Sequence, residues 1–129
     1  MKKIILLLAI LSYSTIGISQ FDLVISKQNT LNTIQYNPNI YTNLILRSLP
    51  GQDSSTMITD LTPFLGVDSV FGDITIENTA ITSLDGLQEL EFMGNLIIYN
   101  NALLQDASNF QAPKYVLDLE FYQNPKLMA

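Results

Sequence analysis

A repeat of 23 residues constrains the fold of this chain more than any other feature of its sequence. Isoleucine or leucine recurs at this interval at Ile58, Ile81, Leu104 and Leu127. A period between about 20 and 50 residues is typical of solenoids, in which each repeat forms one coil that stacks on the next. We therefore expect regular coils over residues 57–129, preceded by less regular coils over residues 20–56.

The strand of each coil is indicated by alternating aliphatic residues. Side chains of a β-strand point alternately to opposite faces, so residues two apart share a face. The aliphatic and aromatic residues expected to point inward form three pairs, Ile74/Ile76, Leu96/Ile98 and Leu119/Phe121. The residues between them are then expected to face solvent.

Asparagine follows the strands at Asn78, Asn101 and Asn124, again at intervals of 23 residues. A chain that leaves a strand loses ladder partners for its backbone groups, and an asparagine amide supplies both donors and an acceptor. We therefore predict a structural asparagine ladder at the corner of each coil. Only a short helical turn fits where one is expected to start, at Asp85 and at Ser108, because the next strand begins about ten residues after each of them.

The first 19 residues have the plan of a secretory signal peptide. Lys2 and Lys3 form a basic start, residues 4–11 are uniformly apolar, and small residues precede Gln20. A membrane-spanning helix needs about 20 apolar residues, so this run is too short for one. We expect a secreted, extracellular or cell-surface protein with no membrane insertion after cleavage. We also expect the C-terminus to be truncated, because the last repeat ends without a polar capping segment.

The charge balance excludes whole classes of partner. With Lys2 and Lys3 removed, four basic residues remain against 12 acidic ones, a net charge of −8. Nucleic-acid binding and docking on anionic lipids both require clustered basic residues, so we expect neither. The sequence contains no histidine and no cysteine, which excludes the usual nucleophilic triads and the common zinc sites. We expect no cofactor and no metal site.

Two segments carry a family resemblance, residues 72–78 (GDITIEN) and residues 94–101 (GNLIIYNN). Both resemble the receptor L-domain signature, a glycine followed by an alternating strand that ends in asparagine. Residues 81–90 (ITSLDGLQEL) complete the repeat and are also similar to leucine-rich repeats. The resemblance implies a mainly β fold, a right-handed single-stranded β-helix of about four or five coils with short helical turns.

The same resemblance implies a role in binding or adhesion, in the manner of secreted Bacteroidetes proteins with similar repeats. The outward strand face is the natural contact surface, because tyrosine is favoured at binding interfaces. The candidate ligand-binding residues on that face are Arg47, Thr75, Glu77, Ile97, Tyr99, Glu120 and Tyr122. The expected partner is a protein or a carbohydrate at the cell surface. Ordinary β-propensity on a solvent-facing strand is the alternative explanation for the same residues.

Two other functions remain open. A carbohydrate-active β-helix enzyme would use paired carboxylates, and the sequence offers Glu89 with Glu91 or Asp73 with Asp118. A spacer solenoid would only hold other domains apart. Because scattered acidic residues are usually a solvated surface, we predict a non-catalytic protein.

Overall fold

The structure, a computed structural model, describes residues 21–127 of the 129-residue chain. It contains seven strands in that range: β1 (Asp22–Ile25), β2 (Asn39–Ile40), β3 (Asn43–Arg47), β4 (Ser69–Val70), β5 (Ile74–Glu77), β6 (Asn95–Tyr99) and β7 (Asp118–Tyr122). The helical elements are the α-helix α1 (Gln28–Leu31) and the 3₁₀ helices Asn32–Tyr36, Ser54–Thr56 and Thr62–Gly66. The predicted signal peptide, residues 1–19, lies outside the described residues.

Five of the strands form one parallel sheet in the order β1-β3-β5-β6-β7, which follows their order along the chain. Strands β2 and β4 form a second parallel sheet of two residues each. Parallel neighbours require a crossover connection between them, and here the 3₁₀ helices, turns and short strands supply it. No helix in the described range is long and apolar enough to span a bilayer.

The core lies between the large sheet and these connections. Alternate residues of β3, β5 and β6 are fully buried: Leu44, Leu46, Ile74, Ile76, Leu96 and Ile98. The connections add Phe64, Leu61, Ile81, Leu84, Leu87 and Leu104. Burying each such side chain stabilises the fold by about 1.5–3 kcal/mol. The alternation of apolar residues within the strands therefore fixes which face of the sheet packs against the connections. The intervening residues of the same strands are left on the opposite, solvent-facing surface.

The predicted fold class, a mainly β single-stranded β-helix of leucine-rich-repeat type, is wrong. The described chain is a small mixed α/β fold built on a five-stranded parallel sheet, with one α-helix between β1 and β2. No solenoid or β-helix is detected in residues 21–127. The segments opposite the large sheet pair only briefly, as β2 with β4 and as isolated bridges such as Ser69 with Phe92.

The unequal connections explain why the period misled. Asn43 lies 21 residues after its partner Asp22 and 30 residues before Asp73, whereas the later steps are 22 and 23 residues. Inward aliphatic residues recur at a nearly constant interval wherever consecutive parallel strands are joined by similar crossovers. The period therefore reports repeated strand–crossover units and does not by itself specify a helix of coils.

Candidate binding face and corner hollow

The seven predicted face residues lie together on four adjacent strands. Strand pairing aligns Ile45 with Thr75, Ile97 and Glu120, and we call these four residues the mixed row. It aligns Arg47 with Glu77, Tyr99 and Tyr122, and we call these four the tyrosine row. The two rows run side by side across the solvent-facing surface of the sheet, so the structure brings all of the candidate residues onto one continuous surface.

Glu77 is the centre of the tyrosine row. Its carboxylate forms an ion pair with the Arg47 guanidinium, with 3.3 Å between Nη1 and Oε1. The hydroxyl of Tyr99 donates a hydrogen bond to the other carboxylate oxygen, Oε2. Glu77 is only 8% exposed, so these two partners cover a carboxylate that would otherwise be costly to bury. The row is thus held in one arrangement by its own contacts.

Tyr99 and Tyr122 extend the row as a stacked pair. Their ring centroids are 4.9 Å apart and their planes differ by 7°. Tyr122 is 45% exposed, and its strand β7 is the last strand of the five-stranded sheet. Within the described residues, the ring of Tyr122 therefore stacks on one side only.

Hydrogen bonding also changes the acidity of this row. The bond to Glu77 raises the pKa of the Tyr99 phenol, and burial and the Glu77 charge act in the same direction. The phenol therefore stays protonated, and remains a donor to the carboxylate, above the pH at which an ordinary tyrosine ionises.

A row of acidic and amide side chains crosses the beginnings of the strands. Asn43 donates to Asp22 at 2.9 Å, and the backbone N–H of Asp73 donates to Asn43 at 2.9 Å. The backbone N–H of Asn95 in turn donates to the Asp73 carboxylate at 2.8 Å. Asp73 is thereby engaged in joining strands, and Asn95 stands between it and Asp118 in the sheet. This placement separates the carboxylates of the alternative catalytic pair.

The other acids do not gather either. Glu89 and Glu91 are exposed, on the connection between β5 and β6. In the described part of the chain, no group of three or more histidine, cysteine, aspartate or glutamate side chains is placed to hold a metal ion.

Two of the three predicted ladder asparagines come together. Asn101 is fully buried, and its side-chain amide donates to the carbonyl oxygens of Ile76 at 3.0 Å and Tyr99 at 3.1 Å. Its Oδ1 accepts from the backbone N–H of Thr79 at 3.1 Å. Asn124 repeats the pattern one strand later and donates to the carbonyl oxygen of Ile98 at 2.9 Å. These side chains form hydrogen bonds with backbone groups that do not pair within the hydrogen-bond ladder between the strands.

Asn78 does not stand in this line. Glu77 pairs with Tyr99, a step of 22 residues and not 23, so Thr79 stands level with Asn101. Asn78 instead aligns with Asn100 and Gln123, and all three adopt the left-handed conformation, with φ of 51°, 55° and 53°. Asparagine tolerates that conformation better than most residues, whereas glutamine does so less readily. The corner of the sheet is made by this left-handed row.

A shallow hollow of about 360 Å³ lies at the corner. It is lined by the left-handed row and two small or rigid residues: Asn78, Asn100, Gln123, Ala102 and Pro125. Neither Asn100 nor Gln123 was among the residues singled out from the sequence. Both could have been identified from their position, because an amide residue directly follows each outward tyrosine or glutamate. The assumption of a uniform period obscured this pattern.

Sequence reasoning also missed a second aromatic stack, on the connections. Successive ring centroids are 5.1, 5.2 and 6.5 Å apart along the line Tyr41, Phe71, Phe92 and Tyr115. The Lys114 ammonium lies 5.2 Å from the Tyr115 ring. Because the rings cover one another, the stack supports the segments opposite the large sheet. Aromatic residues recurring at nearly the main period were the overlooked signal.

Comparison with known proteins found no matching family model, no matching curated protein and no matching solved structure. The resemblance to receptor L domains and leucine-rich repeats stays a prediction.

Proposed function

We propose that this chain is a non-catalytic, exported binding module whose ligand, a protein or a glycan, lies across the outward face of the sheet. The observation that carries the proposal is the prearranged tyrosine row: Arg47, Glu77, Tyr99 and Tyr122, held in line by an ion pair, a hydrogen bond and a ring stack.

Preorganisation supports a binding role, because side chains that are already fixed lose little conformational freedom when a ligand arrives. Tyr122 offers a large amphipathic ring that is 45% exposed, and the neighbouring mixed row offers Ile45 and Ile97, both half-buried. Aliphatic side chains beside aromatic groups are a typical composition for a contact surface.

The same contacts speak against catalysis. Glu77 is occupied by Arg47 and Tyr99, and the Asp73 carboxylate is occupied by the backbone of Asn95. A glycosidase needs two carboxyl groups that flank the sugar with room for a water or a covalent intermediate. We therefore favour binding over hydrolysis, and no observation favours a spacer.

The test applies fluorescently labelled protein to arrays of glycans and of extracellular proteins. We expect concentration-dependent binding by the natural chain, and at least about a 30-fold higher Kd for Tyr122→Ala, since truncating an anchoring tyrosine of an interface typically costs about 2 kcal/mol.

Tyr36→Ala is the matched control. Tyr36 is 74% exposed and lies on a 3₁₀ helix away from the sheet, so its loss should leave binding unchanged. Absence of binding to every array element, or equal binding by Tyr122→Ala and the natural chain, would refute the proposal.

A further inference from the structure

We infer that the corner hollow is a subsite for a neutral glycan, whose hydroxyl groups are bound by the amides of Asn78, Asn100 and Gln123. The inference rests on the proposed binding role and specifies the chemical class of the ligand. It concerns residues next to the outward face, since each of the three directly follows a member of the tyrosine row.

The first argument is that these amides are unused within the protein. The side chains of three other asparagines, Asn101, Asn124 and Asn43, all form hydrogen bonds within the protein. Within residues 21–127, the side chains of Asn78 and Asn100 make no hydrogen bond, and neither does that of Gln123. Three unengaged amides that line one hollow are a concentrated set of donors and acceptors.

The second argument is chemical complementarity. A side-chain amide offers two donors and an acceptor with two lone pairs, and a sugar hydroxyl both donates and accepts. No charged side chain lines the hollow, and Arg47, the nearest cation along the tyrosine row, is committed to Glu77. One cation does lie close by, since the exposed Lys126 directly follows the lining residue Pro125, but the acidic net charge of the chain would still repel an anionic ligand. A neutral, hydroxyl-rich ligand fits both facts.

The third argument is spacing. The three amides directly follow the ends of β5, β6 and β7, which are adjacent in the sheet, so they recur at the strand separation of about 4.8 Å. That distance is close to the length of one pyranose ring. A linear oligosaccharide that runs across the strand ends therefore meets one amide at each successive sugar.

Tyr122 adds an apolar contact beside the hollow, although it does not line it. It directly precedes Gln123, and its side chain is 45% exposed. The C–H face of a sugar packs on such a ring while its hydroxyls reach neighbouring amides. A peptide would instead need a deeper apolar pocket for an anchoring side chain, and this shallow hollow offers only Ala102 and Pro125.

The left-handed backbone allows a clean test. Glycine adopts positive φ without strain, so replacing all three residues with glycine removes the amides and keeps the corner. The full chain, labelled with ¹⁵N, is titrated with neutral linear hexasaccharides built from glucose, mannose, xylose or N-acetylglucosamine. We expect at least one of them to shift the side-chain NH₂ signals of Asn78, Asn100 and Gln123.

The triple variant Asn78→Gly/Asn100→Gly/Gln123→Gly should raise the Kd for that hexasaccharide at least about tenfold. Gln123→Asn, which keeps an amide in a residue tolerant of positive φ, should bind nearly as well as the natural chain. Gln111→Ala removes an exposed amide that does not line the hollow and should change nothing. Amide signals in the backbone spectrum confirm that each variant is folded.

Two results would overturn the inference: no hexasaccharide shifts the three NH₂ signals, or the triple glycine variant binds as tightly as the natural chain. If the arrays at the same time show protein binding that Tyr122→Ala weakens, the proposed function stands and only the glycan subsite fails. If the arrays also show nothing, both fail together.

Discussion

The carboxamide oxygen of Asn124 accepts two hydrogen bonds from Asn101, one from its backbone N–H at 3.1 Å and one from its side-chain amide at 3.2 Å. Asn101 in turn accepts from the hydroxyl of Thr79 at 2.7 Å. The line therefore runs from threonine through two asparagines, and Asn78 lies beside it, in the left-handed row.

This contrast predicts unequal effects of removing two asparagines. Asn101→Ala leaves several buried backbone and side-chain groups without partners and should lower the free energy of unfolding by about 2–4 kcal/mol. Asn78→Gly should change it by less than about 1 kcal/mol, because glycine accepts the same positive φ. Urea unfolding followed by circular dichroism measures both. Similar losses for the two variants would mean that Asn78 belongs to the buried line after all.

Two glycines with positive φ allow the energetic cost of backbone conformation to be measured separately from the cost of steric crowding. A Cβ added to Gly86, where φ is 123°, would meet the backbone carbonyl of Leu61 closer than any real contact allows. A Cβ added to Gly51, where φ is 74°, would meet nothing within 4 Å.

Gly51→Ala should therefore cost only the conformational term, about 1–2 kcal/mol. Gly86→Ala should cost clearly more, since the connection that contains Leu61 must also move. Thermal unfolding of the two variants side by side provides the comparison. An equal fall in Tm would argue that the two connections are not packed together at Gly86.

The alternation of β5 predicts opposite outcomes at neighbouring positions. Ile74→Asp places an unpaired carboxylate in the core and should prevent folding or cost more than about 4 kcal/mol. Thr75→Asp lies on the half-buried outward face and should cost less than about 1 kcal/mol. Soluble yield and far-UV circular dichroism distinguish them. A folded Ile74→Asp protein would contradict the strand register.

The bond from Tyr99 to Glu77 makes part of the stability depend on pH. Because folding raises the pKa of Tyr99, this contribution is fully present below the unfolded tyrosine pKa of about 10. It is lost as pH rises through the higher folded value.

Tyr99→Phe, which removes only the hydroxyl, should lower the free energy of unfolding by about 1 kcal/mol at neutral pH. The difference from the natural chain should shrink at alkaline pH, where the natural chain also loses the bond. Urea unfolding at neutral and alkaline pH measures the difference. A difference that stays constant across that range would show that the hydroxyl contributes no protonation-linked bond.

The sequence predicted where the strands lie better than it predicted how they assemble. Strands were expected where Ile74, Leu96 and Leu119 alternate with polar residues, and β5, β6 and β7 lie there. The fold class was wrong, because the spacing of strands says nothing about what the connections form. The connection from β1 to β2 contains an α-helix and a 3₁₀ helix. The 23-residue period did not predict either of them.

The candidate site divides along the same line. The outward rows followed from alternation and register, so Tyr99 and Tyr122 could be named before the structure was known. Asn100 and Gln123 could not, because one residue fewer between β5 and β6 shifts the corner after β5 relative to the corners after β6 and β7. A shift of one residue is enough to exchange Asn78 for Thr79.

The sequence by itself determined which side chains share a face, because the two-residue period of a strand is a local property of the backbone. Only the tertiary structure decided which residues of different strands stand side by side. That choice depends on the length of each crossover and on hydrogen bonds between distant residues, such as Asn101 to Ile76. The buried asparagine line, the amide-lined hollow and the stacked rings of Tyr41 to Tyr115 all depend on it.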